Sequence, residues 1–139
     1  LLPIKLKKNK IKKVYFNYIV ILTKDSKTIF EKRTGKGIWE NLYQFPLIES
    51  VRDLSMSNLI EQNEFKQLSA LYGIKTIVLY NDVIKIHKLS HRQIHTRFWI
   101  AESSIIPKSA IPIAQIFSYP VPKLIHSFIV PFFKKKETT

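Results

Sequence analysis

Residues able to do chemistry concentrate between Ile86 and Trp99, where the chain reads I-H-K-L-S-H-R-Q-I-H-T-R-F-W. Three of the four histidines, His87, His91 and His95, stand four residues apart here, and Ser90 sits beside the middle one. Three chemistries suit those residue types: a metal site, a serine nucleophile with a histidine base, or a surface that reads a ligand through hydrogen bonds. On a helix this spacing would stack the imidazoles on one face, as in helical zinc sites. The intervening residues instead alternate with period two and are rich in β-branched and aromatic types, the pattern of strands. No acidic ligand lies in the stretch, so no metal site is expected. Ser90 has no glycine elbow to present it, no acid to orient His91, and an adjacent residue seldom aligns an imidazole with a hydroxyl. No catalytic residue is therefore expected. A purely structural turn and a reading turn remain open, since a hydroxyl both donates and accepts and an exposed turn adds backbone N–H groups.

The elements that must position this stretch are two strands, Val83–Leu89 and Gln93–Ala101, joined by a tight turn at Leu89-Ser90-His91-Arg92. In that hairpin His87 and His95 are expected to face each other. Ile94, Thr96, Phe98 and Ile100 share one face; Gln93, His95, Arg97 and Trp99 share the other. Upstream, Val14–Leu22 is apolar on both parities, as for a central strand covered on both faces. A turn at 24–27 leads to a second strand, Thr28–Lys32. The loop T-G-K-G-I-W-E-N-L-Y-Q-F-P-L-I-E follows, its end forming a short strand, Tyr43–Ile48, with Pro46 at an edge or bulge. Asn58, with Glu61 three residues on, resembles a capping box opening one helix to Tyr72, and Gly73 is its natural stop. Strand Ile74–Tyr80 and an Asn81-Asp82 turn come next. Pro122 suits a first helical turn, and Val121, Leu124, Ile125, Phe128 and Ile129 form an apolar stripe at helical spacing. The expected fold class is α/β (α+β): a mixed β-sheet flanked by helices.

The 139 residues suit one compact domain, and 45% apolar residues argue against disorder. No apolar run reaches the ~20 residues of a membrane span, so no membrane partner is expected. Without cysteine the chain has no disulfide, thiolate zinc site or iron–sulfur cluster, which fits a reducing cytoplasm. A formal charge of +13 points to a polyanion, nucleic acid above all. Six lysines fall within the first thirteen residues and three more at Lys134–Lys136, giving a basic connector over 1–13, a domain over 14–133 and a basic tail over 134–139. Leu1 in place of Met suggests a piece of a longer protein.

The G-x-G before Trp39 is too short and wrongly placed for a dinucleotide fingerprint or a P-loop. Its setting, two strands, a loop with tryptophan, a proline-containing strand and then a helix, resembles the Nudix hydrolase fold. That family's catalytic helix carries a dense carboxylate set that cages Mg²⁺ against a diphosphate. L-I-E-Q-N-E-F-K-Q-L-S-A-L-Y-G offers only Glu61 and Glu64, with Lys66 nearby.

Three segments together, K-V-Y-F-N-Y-I-V-I-L leading to G-I-W-E-N-L-Y-Q-F-P-L-I-E, then L-S-H-R-Q-I-H-T-R-F-W-I, then Y-P-V-P-K-L-I, resemble the C-terminal domain of the bacterial adenine DNA glycosylases of the MutY family. L-P-I-K-L-K-K-N-K resembles that family's interdomain connector. The resemblance implies a Nudix-like, non-hydrolytic domain that helps find 8-oxoguanine opposite adenine in double-stranded DNA. It implies that Leu89, Ser90 and His91 stand at the family's Phe-Ser-His reading triplet, the first position departing from phenylalanine. It also places the catalytic acids, the adenine pocket and a 4Fe-4S cluster in a covalently attached N-terminal domain, so that the parent and not this segment would be the enzyme, acting at the cytoplasmic nucleoid. Oxidation at C8 turns guanine N7 from an acceptor into a donor and adds a carbonyl oxygen, which Ser90 and nearby N–H groups could read. Arg92, Lys88 and the arm lysines Lys7, Lys8, Lys10, Lys12 and Lys13 would add phosphate affinity. Two other readings stand beside this one: a Nudix-type nucleoside diphosphate hydrolase with an atypical metal site, and a lesion-blind basic nucleic-acid adaptor.

Overall fold

The computed structural model describes residues 11–81 and 84–134. Two long strands, β1 (Lys12–Leu22) and β8 (Arg92–Ser103), run parallel in continuous register from Lys12 opposite Arg92 to Leu22 opposite Glu102. Around them a mixed sheet forms. β2 (Lys27–Thr28) and β5 (Leu47–Ser50) flank β1, while β6 (Ile74–Leu79) and β7 (Lys85–Lys88) share the far edge of β8 end to end. β9 (Ile111–Pro112) closes the edge beyond β2, and β3 (Glu31–Lys32) pairs with β4 (Tyr43–Gln44) in a separate ribbon.

Both faces of β1 and β8 are buried because both carry apolar residues on both parities. One face, with Phe16, Tyr18, Val20, Ile94 and Phe98, packs under the C-terminal helix α3 (Lys123–Ile129) and a 3₁₀ turn at Ile113–Ser118. Phe128 of α3 stacks on Phe98 at 4.2 Å between ring centres, and Phe98 on Tyr18 at 5.5 Å. The opposite face, with Ile19, Ile21, Trp99 and Ala101, packs under α1 (Met56–Glu61) and α2 (Asn63–Tyr72) through Leu59, Phe65 and Tyr72. The face assignment expected for 93–101 holds.

Several boundaries differ from expectation, each for a local reason. Strand β1 begins at Lys12, two residues inside the segment assigned to the connector, because β8 offers it a partner there. The expected strand Thr28–Lys32 divides: residues 27–28 pair within the main sheet and 31–32 with β4, and the buried Ile29 and Phe30 lie between. Tyr43–Ile48 divides likewise around buried Phe45 and Pro46, although the Pro46 carbonyl still accepts from the Ile19 N–H at 2.9 Å. The single helix is two, broken at Gln62, whose backbone is extended. Its cap is Ser55, not Asn58: the Ser55 hydroxyl accepts from the Asn58 N–H at 3.2 Å, which leaves Asn58 three residues inside the first turn. Gly73 does end α2 in the left-handed region, at φ 62°. The Asn81-Asp82 turn extends beyond the described residues.

Candidate nucleic-acid interface

β7 and β8 form a hairpin whose last ladder bond runs from the Leu89 N–H to the Arg92 carbonyl at 2.8 Å, leaving Ser90 and His91 alone at the tip. Two-residue hairpin tips usually need residues with positive φ. Neither Ser90 nor His91 has one. A third strand supplies the restraint instead, since the Lys12 N–H donates to the His91 carbonyl at 3.2 Å. Leu89 turns inward, half-buried against the core under α3, while Ser90 and His91 are exposed. Among the described residues neither the Ser90 hydroxyl nor the His91 ring has a hydrogen-bond partner, so both are available to a ligand.

Cations bracket this tip. Register places Lys12 beside Arg92, and Lys13 and Lys88 on either side of Gln93. These pairs fall on alternate sheet faces, because successive residues point oppositely. Lys7, Lys8 and Lys10 lie outside the described residues.

The three histidines do not converge. His87 and His95 are not opposite each other: Ile86 pairs with His95, and His87 with Ile94. The tip was expected to be a two-residue turn, and with that loop length pairs must sum to a constant, which sends His87 and His95 to opposite faces. His95 is buried beside Tyr15, ring centres 5.0 Å apart, with its Nε2 3.2 Å from Gln93 Oε1. His87 packs edge-on against Trp39 at 5.6 Å. No group of three or more His, Cys, Asp or Glu side chains able to hold a metal occurs among the described residues.

Trp39 brings the glycine loop into this neighbourhood. Its backbone is left-handed at φ 60°, as is that of Asn41 at φ 68°, so two non-glycine residues carry the strain of the turn. Arg33 braces the loop: its Nε donates to the Ile38 carbonyl at 3.2 Å, and its Nη1 to Gln44 Oε1 at 3.3 Å. Gln44 also accepts from the Tyr18 hydroxyl at 3.0 Å, whose pKa burial pushes far above its ordinary value, keeping the phenol a neutral donor. Trp39 thereby wedges between Phe16 in the core and His87 on the hairpin.

Three polar residues hold the hairpin and were not singled out by sequence. Asn81 fills the gap between β6 and β7 along β8. Its Nδ2 donates to the Thr96 carbonyl at 3.1 Å and its Oδ1 accepts from the Phe98 N–H at 2.8 Å, so one side chain replaces a stretch of missing strand. Arg97 grips Asp53 through two bonds of 2.7 and 2.8 Å, which hold the Asp53 carboxyl below the usual carboxylate range. Asn17, buried in β1, accepts from Trp99 Nε1 at 3.1 Å and donates to the Ile48 carbonyl at 3.1 Å. A polar residue interrupting an apolar strand was the available signal for Asn17; for Asn81 the sequence marked a turn but not its bonds to β8.

On the other side of the sheet, Glu61 and Glu64 are exposed on α1 and α2. Two solvated carboxylates do not make the cage a divalent cation needs against a diphosphate. These residues do not fit the Mg²⁺ site that a Nudix hydrolase helix would carry.

A family model described as NUDIX domain matches residues 17–130, and the chain belongs to this family. Among solved structures it is similar to the C-terminal domain of mouse MUTYH, in a complex with human PCNA, with TM-score 0.61 and 14% identity over 91% of this chain and 90% of that one. It is comparably similar to a MutT protein from Methanosarcina mazei Go1, with TM-score 0.59 and 11% identity over 91% and 96% of the two chains. A MutT structure from a study of Aliivibrio salmonicida and Vibrio cholerae gives 0.57 at 15% identity, over 89% and 99%. At these identities the likeness is one of fold. Comparison with curated proteins by sequence returned no significant match. Among the described residues no helix is long and apolar enough to cross a membrane.

Proposed function

We propose that this Nudix-family chain is a non-hydrolytic lesion reader: the C-terminal domain of an adenine DNA glycosylase that recognises 8-oxoguanine opposite adenine in duplex DNA. The observation that carries the reading is the hairpin tip, where Leu89 is anchored in the core and Ser90 and His91 stand free between Lys12, Lys13, Lys88 and Arg92. An anchored tip presents its hydroxyl in fixed geometry. The oxidised base differs from guanine at one edge, where an acceptor has become a donor and a carbonyl has appeared, and Ser90 has a lone pair for the first and a proton for the second. The flanking cations hold phosphates without regard to sequence. Base excision itself would belong to an attached N-terminal domain carrying the 4Fe-4S cluster.

The test replaces Ser90 with Ala in the full-length protein and compares binding to duplexes with adenine opposite 8-oxoguanine or opposite guanine. The preference should shrink by ~5- to 150-fold, the equivalent of the ~1–3 kcal/mol of a direct base contact. An unchanged preference rejects the tip as reader.

Membership of the NUDIX domain family favours a second reading, a nucleoside diphosphate hydrolase with unusual acids. Incubation with Mg²⁺ and nucleoside triphosphates separates the two. Turnover that Glu61→Gln abolishes would establish the hydrolase; none is expected, because Glu61 and Glu64 belong to no group of three or more metal-ligating side chains among the described residues.

A further inference from the structure

We infer that the groove between β7 and α3 is a phosphodiester-binding subsite that extends the tip's grip along one flank of the duplex. The inference rests on the duplex-binding reading above, but on residues with no part in reading the base. A cavity of about 410 Å³ lies there, lined by Lys85, Ile86, His87, Lys123, Leu124 and Ser127. Lys85 and Lys123 are exposed cations on opposite walls, Leu124 is a buried apolar floor, and no lining residue is acidic. His87 is held upright by Trp39. Directly across the ladder from Lys85, the Thr96 hydroxyl is buried without a hydrogen-bond partner.

The charge around the groove is one-sided. β7 carries Lys85 and Lys88, α3 carries Lys123, and neither holds an acid; β8 holds one, Glu102. Glu102 sits at the far end of β8, opposite Leu22. Two cations facing each other across an acid-free cleft match the repeated single charges of a nucleic-acid backbone. A cationic ligand would find no carboxylate among the lining residues.

Spacing sets the reach. Five residues of strand from Lys85 to Ser90, at ~3.3 Å each, span ~17 Å, about five base-pair steps at ~3.4 Å. With the tip on the lesion and the hairpin lying along the duplex, the groove meets backbone about five base pairs away, on one side only.

The experiment measures affinity of the full-length protein for lesion and undamaged duplexes over a range of salt. Lys85→Ala and Lys123→Ala, both at exposed positions and checked for unchanged Tm, should each reduce the slope of log K against log salt by about 0.9. Both duplexes should weaken equally, leaving the lesion preference intact. Lys24→Ala and Lys75→Ala, which line a different cleft beside Glu102, should leave the slope unchanged. Trimming one flank of the duplex to fewer than about five base pairs should make the groove variants silent, while trimming the other should not. Failure of Ser90→Ala to alter preference would remove the base-reading role and leave the groove standing. Unchanged slopes in the groove variants, or no duplex binding by the parent protein, would overturn the groove. So would loss of binding to a poly-glutamate peptide with DNA affinity retained, which would assign the cleft to an acidic protein segment.

Discussion

Leu89 is worth more as an anchor than as a contact. Its side chain packs into the core under α3, and its N–H closes the hairpin, so it fixes where Ser90 stands. A hydroxyl discriminates between donor and acceptor only when it cannot swing to suit both. Leu89→Ala should therefore lower stability by about 1–3 kcal/mol in a chemical denaturation series, and it should also blunt lesion preference although Leu89 need touch no base. A phenylalanine there, the type found in the MutY resemblance, should preserve the anchor. At the same scale, a side chain at Gly73 would be strained. Its φ of 62° is left-handed, and an added Cβ would come within 2.9 Å of Ser104 Oγ and 3.2 Å of Ile105. Gly73→Ala should cost on the order of 1–2 kcal/mol, read as a lowered Tm without change in DNA preference.

Among elements, β8 does most of the positioning, because it pairs with β1 along its whole length and with β6 and β7 on the other edge. The gap between β6 and β7 is bridged by the Asn81 side chain, which bonds the Thr96 carbonyl and the Phe98 N–H, beside the Tyr80 N–H that donates to the Phe98 carbonyl at 2.8 Å. Asn81→Ala should leave a buried N–H and C=O less well satisfied at a cost of about 1–3 kcal/mol. Hydrogen exchange should speed at Phe98 first, since its N–H loses its acceptor. The hairpin would then loosen before the β1–β8 pair does. Helix α3 matters through one ring: Phe128 stacks on Phe98 and meets Phe45 edge-on. Phe128→Ala should cost about 3–5 kcal/mol.

For the whole molecule, charge and acid sensitivity can be separated. The Arg97–Asp53 pair ties the segment before α1 to the central strand. Arg97 hydrogen bonds hold the folded-state pKa of Asp53 down, so this contribution is present above the unfolded value, near 4, and is lost as pH falls through the lower folded one. Asp53 is half exposed, so the pair is worth roughly 0.2–1 kcal/mol. Asp53→Asn should lower Tm by a small amount at neutral pH, and the difference should shrink as pH falls below about 4. DNA affinity, by contrast, should fall steeply with salt at any pH where the lysines are charged.

Much of the architecture was legible locally. Two-parity apolar runs marked the central strand, period-two alternation assigned the faces of β8, and Pro122 with its apolar stripe located α3. The turn at 89–92 followed from composition and alternation, so the candidate tip was readable. Less legible were the ends and breaks of elements. Ser55 rather than Asn58 caps α1 because both offer a side-chain acceptor at an exposed position, and only the packing of Leu59 chooses the helix phase. The strands at 27–32 and 43–50 divide because each half pairs with a different strand, a demand no short window contains.

By itself, then, the amino-acid order determined which residues face inward, where the chain turns, and the strong positive charge, since these depend on neighbours a few positions apart. Tertiary structure alone decided that Asn81 stands in for missing strand, and that Lys123 of α3 lines the same groove as Lys85 of β7. Each is a pairing across distant segments, and its register is set by which long-range hydrogen bonds and packed rings form together.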